Sequence, residues 1–143
     1  EESRGNEMKL RLLSPEGTPF QGEVLSCLLP AEKGPTEFSS GTTRMIVSLS
    51  PAGIIRVRTG KGNRYFTCFG GVANMVGDEL VVSSPAIEEG SSIDASRALE
   101  SKKRAQKRLE EKDENIDQAR AKASLLRALT RLSAKSLSGG GKA

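Results

Sequence analysis

The sequence contains no histidine. That removes His-based general acid–base catalysis and His-ligated metal sites together. Tryptophan is also absent, and one Tyr and four Phe are the whole aromatic complement. A core must then be built from Leu, Ile, Val and Ala, with Phe20, Phe38, Phe66 and Phe69 as its largest pieces. So few rings leave little for base stacking, which weakens a nucleic-acid-binding reading. The two cysteines, Cys27 and Cys68, lie far apart in strand-like runs and read as buried small hydrophobes rather than a bridge or redox pair. No apolar run in the sequence approaches the length of a membrane-spanning helix. The first residues, EESRGNE, are acidic and polar and lack an initiator Met. They are not themselves a leader; a removed leader or a truncation would both leave such a start.

At 143 residues, the length suits one domain, or one small domain with an appendage. The net charge of +4 is unevenly placed. Residues 1–90 carry nine Lys/Arg and eleven Asp/Glu, net −2, whereas residues 91–143 carry thirteen and seven, net +6. The division falls where strand patterning gives way to helix patterning. A basic helical segment suggests an acidic partner, a bound phosphate or an anionic surface, against the plainer reading of a solvated face of mixed charge.

Residues 8–13 alternate, Met8, Leu10 and Leu12 against Lys9 and Arg11, and Ser14-Pro15-Glu16-Gly17 is a turn. A second strand is expected over 22–29, a long loop over 30–43 and a third strand over 44–50. Residues 54–59 and 64–69 form a hairpin about Gly60-Lys61-Gly62-Asn63, and 72–76 and 79–84 another about Gly77-Asp78. Strands of this length and spacing predict an antiparallel β-sandwich over 1–90. Residues 91–135 then predict an antiparallel two-helix hairpin, with 136–143 a flexible Ser/Gly tail, so the fold class is α+β. Ser91 with Asp94 suits a capping box for the first helix, and Asn115 with Gln118 one for the second, after a polar turn over 110–114. Ala98, Ala105 and Leu109 share one stripe. Ile116, Ala119, Ala123 and Leu126 share another, widened by Leu125, Leu129 and Leu132. Stripes rich in Ala allow close approach but bury little area, so the hairpin depends on packing to a partner element.

No catalytic constellation is present in this pattern. Gly70-Gly71 and the glycines at 139–141 lack the Lys-Ser/Thr of a P-loop and the spacing of a dinucleotide fingerprint. Glu88-Glu89 and Glu110-Glu111 read as solvated charge beside turns. The arginines are more informative. Arg97 and Arg104 are two helical turns apart, Arg127 and Arg131 one turn apart, and an antiparallel hairpin brings the two pairs to one level. Gathered guanidinium groups repel unless an anion sits among them, and their fork geometry suits phosphate. The alternative is that they point outward or pair with Glu100, Asp94 or Glu88.

In their order across residues 8–133, several pieces resemble a known family. They are Phe69-Gly70-Gly71-Val72, the strand pair about Gly77-Asp78, Ile93-Asp94-Ala95-Ser96-Arg97-Ala98, Ala105-Gln106-Lys107-Arg108-Leu109, Asn115-Ile116-Asp117 and Arg127-Ala128-Leu129-Thr130-Arg131-Leu132-Ser133. The chain is similar to the epsilon subunits of bacterial and chloroplast F-type ATP synthases, equivalent to the mitochondrial delta subunit. The resemblance implies a non-catalytic rotor component that couples c-ring rotation to ATP synthesis. Its partners would be the gamma subunit, the polar loops of the c-ring and, in a mitochondrial enzyme, the small epsilon subunit that clasps the hairpin. No cofactor would be required and nucleic acid is not an implied partner. The protein would sit peripherally at the matrix side of the mitochondrial inner membrane, or in the bacterial or chloroplast equivalent.

In bacterial members the hairpin can extend along gamma and inhibit hydrolysis, and some bind ATP through Ile/Leu-Asp-x-x-Arg-Ala with further arginines. Ile93, Asp94, Arg97 and Ala98 match that motif, and Glu88, Arg104, Arg127 and Arg131 match the supporting positions. ATP is thus the candidate regulatory ligand. Glu37-Phe38-Ser39-Ser40-Gly41-Thr42-Thr43-Arg44 departs from the family, lacking the His and Pro often found there. Two rivals remain: a regulatory ATP sensor with the same fold, and a nucleic-acid module using the basic hairpin.

Overall fold

A computed structural model of the chain describes residues 6–111 and 117–140. Ten strands come first: β1 (Met8–Ser14), β2 (Gly17–Val24), β3 (Ser26–Ala31), β4 (Gly34–Ser39), β5 (Met45–Ser48), β6 (Gly53–Thr59), β7 (Gly62–Cys68), β8 (Val72–Val76), β9 (Glu79–Ser83) and β10 (Ile87–Glu89). A single 3-10 turn, Gly90–Ser92, leads into two helices, α1 (Ala95–Glu110) and α2 (Gln118–Ser138). The strands form two five-stranded sheets, β2-β1-β9-β8-β5 and β10-β7-β6-β3-β4, packed as a sandwich.

Period-2 alternation makes the core. Met8, Leu10 and Leu12 of β1, Leu80 and Val82 of β9, and Met75 of β8 point inward from the first sheet. Leu29, Phe38, Ile55, Val57 and Phe66 meet them from the second. Both cysteines are free and buried in this core. Three of the four phenylalanines belong to it; Phe69 instead is only half-buried, at the surface beneath α2.

The sandwich expected from the sequence is present, with four local differences. Residues 22–29 do not form one strand: the chain ends β2 at Val24, starts β3 at Ser26, and so changes sheet, with Leu25 N–H donating to Arg58 O at 2.8 Å. The loop expected over 30–43 is largely the β3–β4 hairpin, in which Phe38 pairs with Cys27 and is fully buried. Pro35 is tolerated because β4 is an edge strand. The short β10 pairs with β7 and was not expected from the pattern. Finally, β1 pairs with β9 in parallel, although its other neighbour β2 is antiparallel.

The helices differ from expectation mainly at their ends and in which stripe is buried. Asp94, not Ser91, caps α1, its side chain accepting from Arg97 N–H at 3.2 Å. Asp117 caps α2 in the same way, from Arg120 N–H at 3.1 Å. Asn115, Ile116 and most of the expected polar turn lie outside the described residues. Helix α2 continues through Ser138, into the stretch read as a tail; residues 141–143 lie outside the description. Its buried residues are Ala121, Ala128, Thr130 and Ala134, while Ala119, Ala123 and Leu126 are exposed. Ala121 and Ala128 lie on the face of α2 turned to Ala98 and Ala105 of α1, where only small residues allow the helices to close, whereas Thr130 and Ala134 lie on the opposite face, with Ala134 against Gly90.

The hairpin docks through α2 on the outer face of the second sheet at β7 and on the 3-10 turn. Thr67 lies fully buried there, its hydroxyl accepting from Glu88 N–H at 3.2 Å. Lys135 Nζ donates to Ser91 O at 3.1 Å. Gly90 is buried against α2 so closely that a Cβ would overlap Ser138 Oγ and the Ala134 carbonyl.

Candidate functional site

Helical spacing sets the site. Arg97 and Arg104 lie seven residues apart on α1, and Arg127 and Arg131 four apart on α2, so each pair shares a face. Matching of Ala98 and Ala105 with Ala121 and Ala128 fixes the register between the helices, and both arginine faces turn to the same side of the hairpin. There they border two adjoining cavities that share Ser101 and Arg131.

The inner cavity, about 370 Å3, lies at the junction of hairpin and sandwich. Glu88 and Arg131 form one side, Asp94, Arg97, Ser92 and Ser101 line it, and buried Ile93 and Ala98 supply its apolar wall. The outer cavity, about 270 Å3, runs between the helices. It is bordered by Arg104, Arg108, Arg127 and Arg131, with Ser101, Ser124, Ala105 and Ala121 between them. All seven residues singled out from the sequence, Glu88, Ile93, Asp94, Arg97, Arg104, Arg127 and Arg131, therefore border this one groove.

Their charges are unequally compensated. Arg131 Nε meets Glu88 Oε1 at 2.7 Å, joining α2 to β10, and its guanidinium lies 5.1 Å from the centroid of the Phe69 ring. Arg104 and Arg127 instead donate to hydroxyls, to Ser101 Oγ at 3.2 Å and Ser124 Oγ at 3.5 Å. Among the described residues, Arg97, Arg104, Arg108 and Arg127 form no ion pair. Of the alternatives open from the sequence, the pairing with Glu88 occurs, at Arg131 only; Glu100 takes no arginine and Asp94 is used as a cap. The other expected solvated carboxylate, Glu89, is also paired, taking Arg64 in a two-pronged contact at 2.7 and 2.8 Å. Arg64 in turn lies over the Phe20 and Phe66 rings, 4.9 and 5.7 Å from their centroids.

Sequence reasoning missed Arg108, Ser101 and Ser124. Arg108 was legible, four residues beyond Arg104 on the same face; the serines were not, because a helical serine is ordinarily only solvated. A set of unpaired guanidinium groups and hydroxyl donors around an open groove can hold a multiply charged anion, while the carboxylates at the inner end disfavour one there.

Comparison with known proteins agrees with this architecture. Residues 7–90 match the family described as ATP synthase, Delta/Epsilon chain, beta-sandwich domain, and residues 91–136 its long alpha-helix domain. An ATP synthase epsilon chain of Clostridium novyi is 34% identical over 125 residues, covering 87% of this chain and 94% of that one. Its counterpart in Bacillus mycoides is 31% identical over 121 residues, covering 85% and 90%. A chain in the mitochondrial ATP synthase of Euglena gracilis (OSCP/F1/c-ring) shares the fold, with a TM-score of 0.77 at 16% identity, covering 91% of this chain and 82% of that one. One from the Tetrahymena thermophila central stalk and c-ring gives 0.54 at 12% identity, covering 87% and 96%. The chain belongs to the ATP synthase delta/epsilon chain family, the epsilon subunit family of the F-type synthases.

Proposed function

We propose that this protein is a non-catalytic central-stalk subunit of a proton-translocating F-type ATP synthase, coupling c-ring rotation to ATP synthesis. The observation that carries the reading is that both halves of the chain, sandwich and hairpin, match the two domains of one family in the right order. Two fold neighbours from rotor assemblies support it. The sandwich would contact the gamma subunit and the c-ring loops over broad surfaces, so torque needs no single essential side chain. In a mitochondrial enzyme the small epsilon subunit would clasp the hairpin. The protein would then lie at the matrix face of the inner membrane; the bacterial relatives favour a bacterial or chloroplast setting. Purification of the tagged chain from its native membranes in mild detergent tests both points. Gamma and c subunits should co-purify, the presence of the small epsilon subunit marks the mitochondrial form, and recovery without gamma would refute the assignment.

A second, regulatory reading is favoured by the unpaired arginines. ATP would lie along the groove with its base in the inner cavity, against Ile93 and Ala98 and within reach of the Glu88 and Asp94 oxygens. Its phosphates would run outward, away from those carboxylates, past Arg97 and Arg131 to Arg104 and Arg127. Because Glu88 belongs to the sandwich and the arginines to the helices, a bound nucleotide would favour the docked hairpin. Isothermal titration of the full chain with ATP tests this. Absence of binding at millimolar concentration would leave a purely mechanical subunit.

A further inference from the structure

We infer that Ser101 and Ser124 are further binding residues of the groove, a pair of hydroxyls that holds one phosphoryl group at its middle and orients Arg104 and Arg127 toward it. This rests on the nucleotide reading above and adds to it two residues and the position of a phosphoryl group. The two helices carry one pattern twice. Asp-x-x-Arg-Ala-x-x-Ser-x-x-Arg-Ala-x-x-Arg begins at Asp94 and again at Asp117. Each Asp caps its own helix, at Arg97 N–H in α1 and at Arg120 N–H in α2. Each Ser stands three residues after one buried Ala and four before the next, Ala98 and Ala105 in α1 and Ala121 and Ala128 in α2. Antiparallel helices that close on these alanines are related by an approximate two-fold axis. That axis brings Ser101 and Ser124 level with each other across the outer cavity, which both border.

The two hydroxyls depart from ordinary helical behaviour. A hydroxyl in a helix commonly donates back to the carbonyl four residues earlier. Thr130 does so, to Leu126 O at 2.8 Å. Ser101 and Ser124 donate to no group among the described residues. Each instead accepts, from Arg104 at 3.2 Å and from Arg127 at 3.5 Å. A hydroxyl has one proton beside its lone pairs, so both protons remain for a ligand. Both serines are half-buried while Arg104 and Arg127 are exposed, so the hydroxyls form the floor of the groove and the guanidinium groups its rim. Carboxylates gather toward the two ends, Glu88 and Asp94 at the inner one and Glu110, Glu111 and Asp117 by the hairpin turn, so an anion is favoured between them. A phosphoryl group at this point accepts from Ser101, from Ser124 and from the two guanidinium groups they hold. The chemistry recognised is the phosphoryl group itself, of a nucleotide or of inorganic pyrophosphate.

The test is calorimetric titration of the full chain with ATP and with pyrophosphate, in the wild type, S101A, S124A, the double variant and S133A. Alanine raises helix propensity over serine and removes no charge, so the variants should unfold in urea no earlier than the wild type. Ser133 is exposed on α2 and borders neither cavity, which makes S133A the control. S101A and S124A should each weaken ATP about tenfold, and S133A less than about twofold. Because one phosphoryl group takes both protons, the loss in the double variant should differ from the product of the single losses by more than about twofold. Equal losses on pyrophosphate assign the bare phosphate chain as the recognised group; binding of ATP without pyrophosphate assigns the nucleotide. If S101A and S124A bind ATP as tightly as the wild type, or if the single losses simply multiply, the shared site is overturned while the nucleotide reading stands. If ATP does not bind the wild type at millimolar concentration, that reading fails, and this inference with it.

Discussion

Replacing Gly90 by alanine should undock the helical hairpin while leaving the sandwich folded. The added Cβ has nowhere to go: it would overlap Ser138 Oγ and the Ala134 carbonyl oxygen, and would lie 2.8 Å from the Ala134 carbonyl carbon. Two of these atoms are backbone of a helix, so rotamer changes cannot relieve the overlap. Overpacking of this kind costs about 1–3 kcal/mol. The opposing attractions are few. The Glu88–Arg131 pair is half-exposed and is worth about 0–1 kcal/mol. The Arg131–Phe69 contact contributes about 0.5–1 kcal/mol at such a site. The Lys135–Ser91 hydrogen bond adds about 0.5–1.5 kcal/mol, and burial of the Ala134 methyl about 0.8 kcal/mol. A clash equal to a large part of this sum should shift the docked population appreciably. Amide hydrogen exchange read peptide by peptide measures it. In Gly90→Ala, protection should fall across α2 and α1 and hold in β1, β6 and β9. Tryptic cleavage at Arg131 and Lys135 should accelerate in parallel. Unchanged exchange in α2 would show that the Gly90 contact does not govern docking, and protection lost evenly across the sandwich would refute the two-part division.

Three other outcomes follow from the same geometry. Gly71 has φ of +113°, and a Cβ there would overlap Ser83 O and lie 2.8 Å from Ser84 Cα, so Gly71→Ala should cost the sandwich about 2–4 kcal/mol in urea denaturation; a loss below about 1 kcal/mol would count against that strain. Burial pushes the Cys27 thiol up, with nearby Cys68 adding to it, and burial likewise raises Cys68. Because an unfolded thiol ionises at about pH 8.5 and the folded Cys27 thiol only well above that, stability is full below that pH and falls as pH rises past it, by about 1.4 kcal/mol one unit higher for Cys27, with Cys68 acting in the same direction. Urea midpoints of wild type and a Cys27→Val/Cys68→Ala variant, compared between about pH 7.5 and 9.5, should show the steeper fall in wild type, and equal slopes would exclude the thiols as its source. Asp117→Ala removes the cap on Arg120 N–H and should cost about 1 kcal/mol, seen as faster exchange confined to the first turn of α2; exchange indistinguishable from wild type would mean the cap contributes nothing.

Much of the architecture was legible because local patterning and global packing agree. The alternation of Met8, Leu10 and Leu12, the turns at Pro15 and Gly77, and the change of period and charge sign after Gly90 are properties of short windows, and each survives in the structure. The Arg spacings were equally local: i+4 and i+7 place groups on one helical face whatever the helix packs against. The β3–β4 hairpin was missed because its Pro and Gly look like loop composition, and only an edge position makes Pro35 acceptable in a strand. The buried stripe of α2 was misplaced because Ala119, Ala121, Ala123 and Ala128 are indistinguishable in sequence; contact with Ala98 and Ala105 chooses among them.

By itself, then, the sequence determined the order of a β-rich head and a basic helical pair, the exclusion of histidine chemistry and the candidate arginines. Tertiary structure alone decided that Glu88 neutralises Arg131, that Arg97, Arg104, Arg108 and Arg127 form no ion pair among the described residues, and that Gly90 seats the end of α2. The physical reason is range: periodicity and capping act within a turn or two of chain, whereas charge pairing between β10 and α2 joins residues 43 positions apart and exists only once the helices have docked.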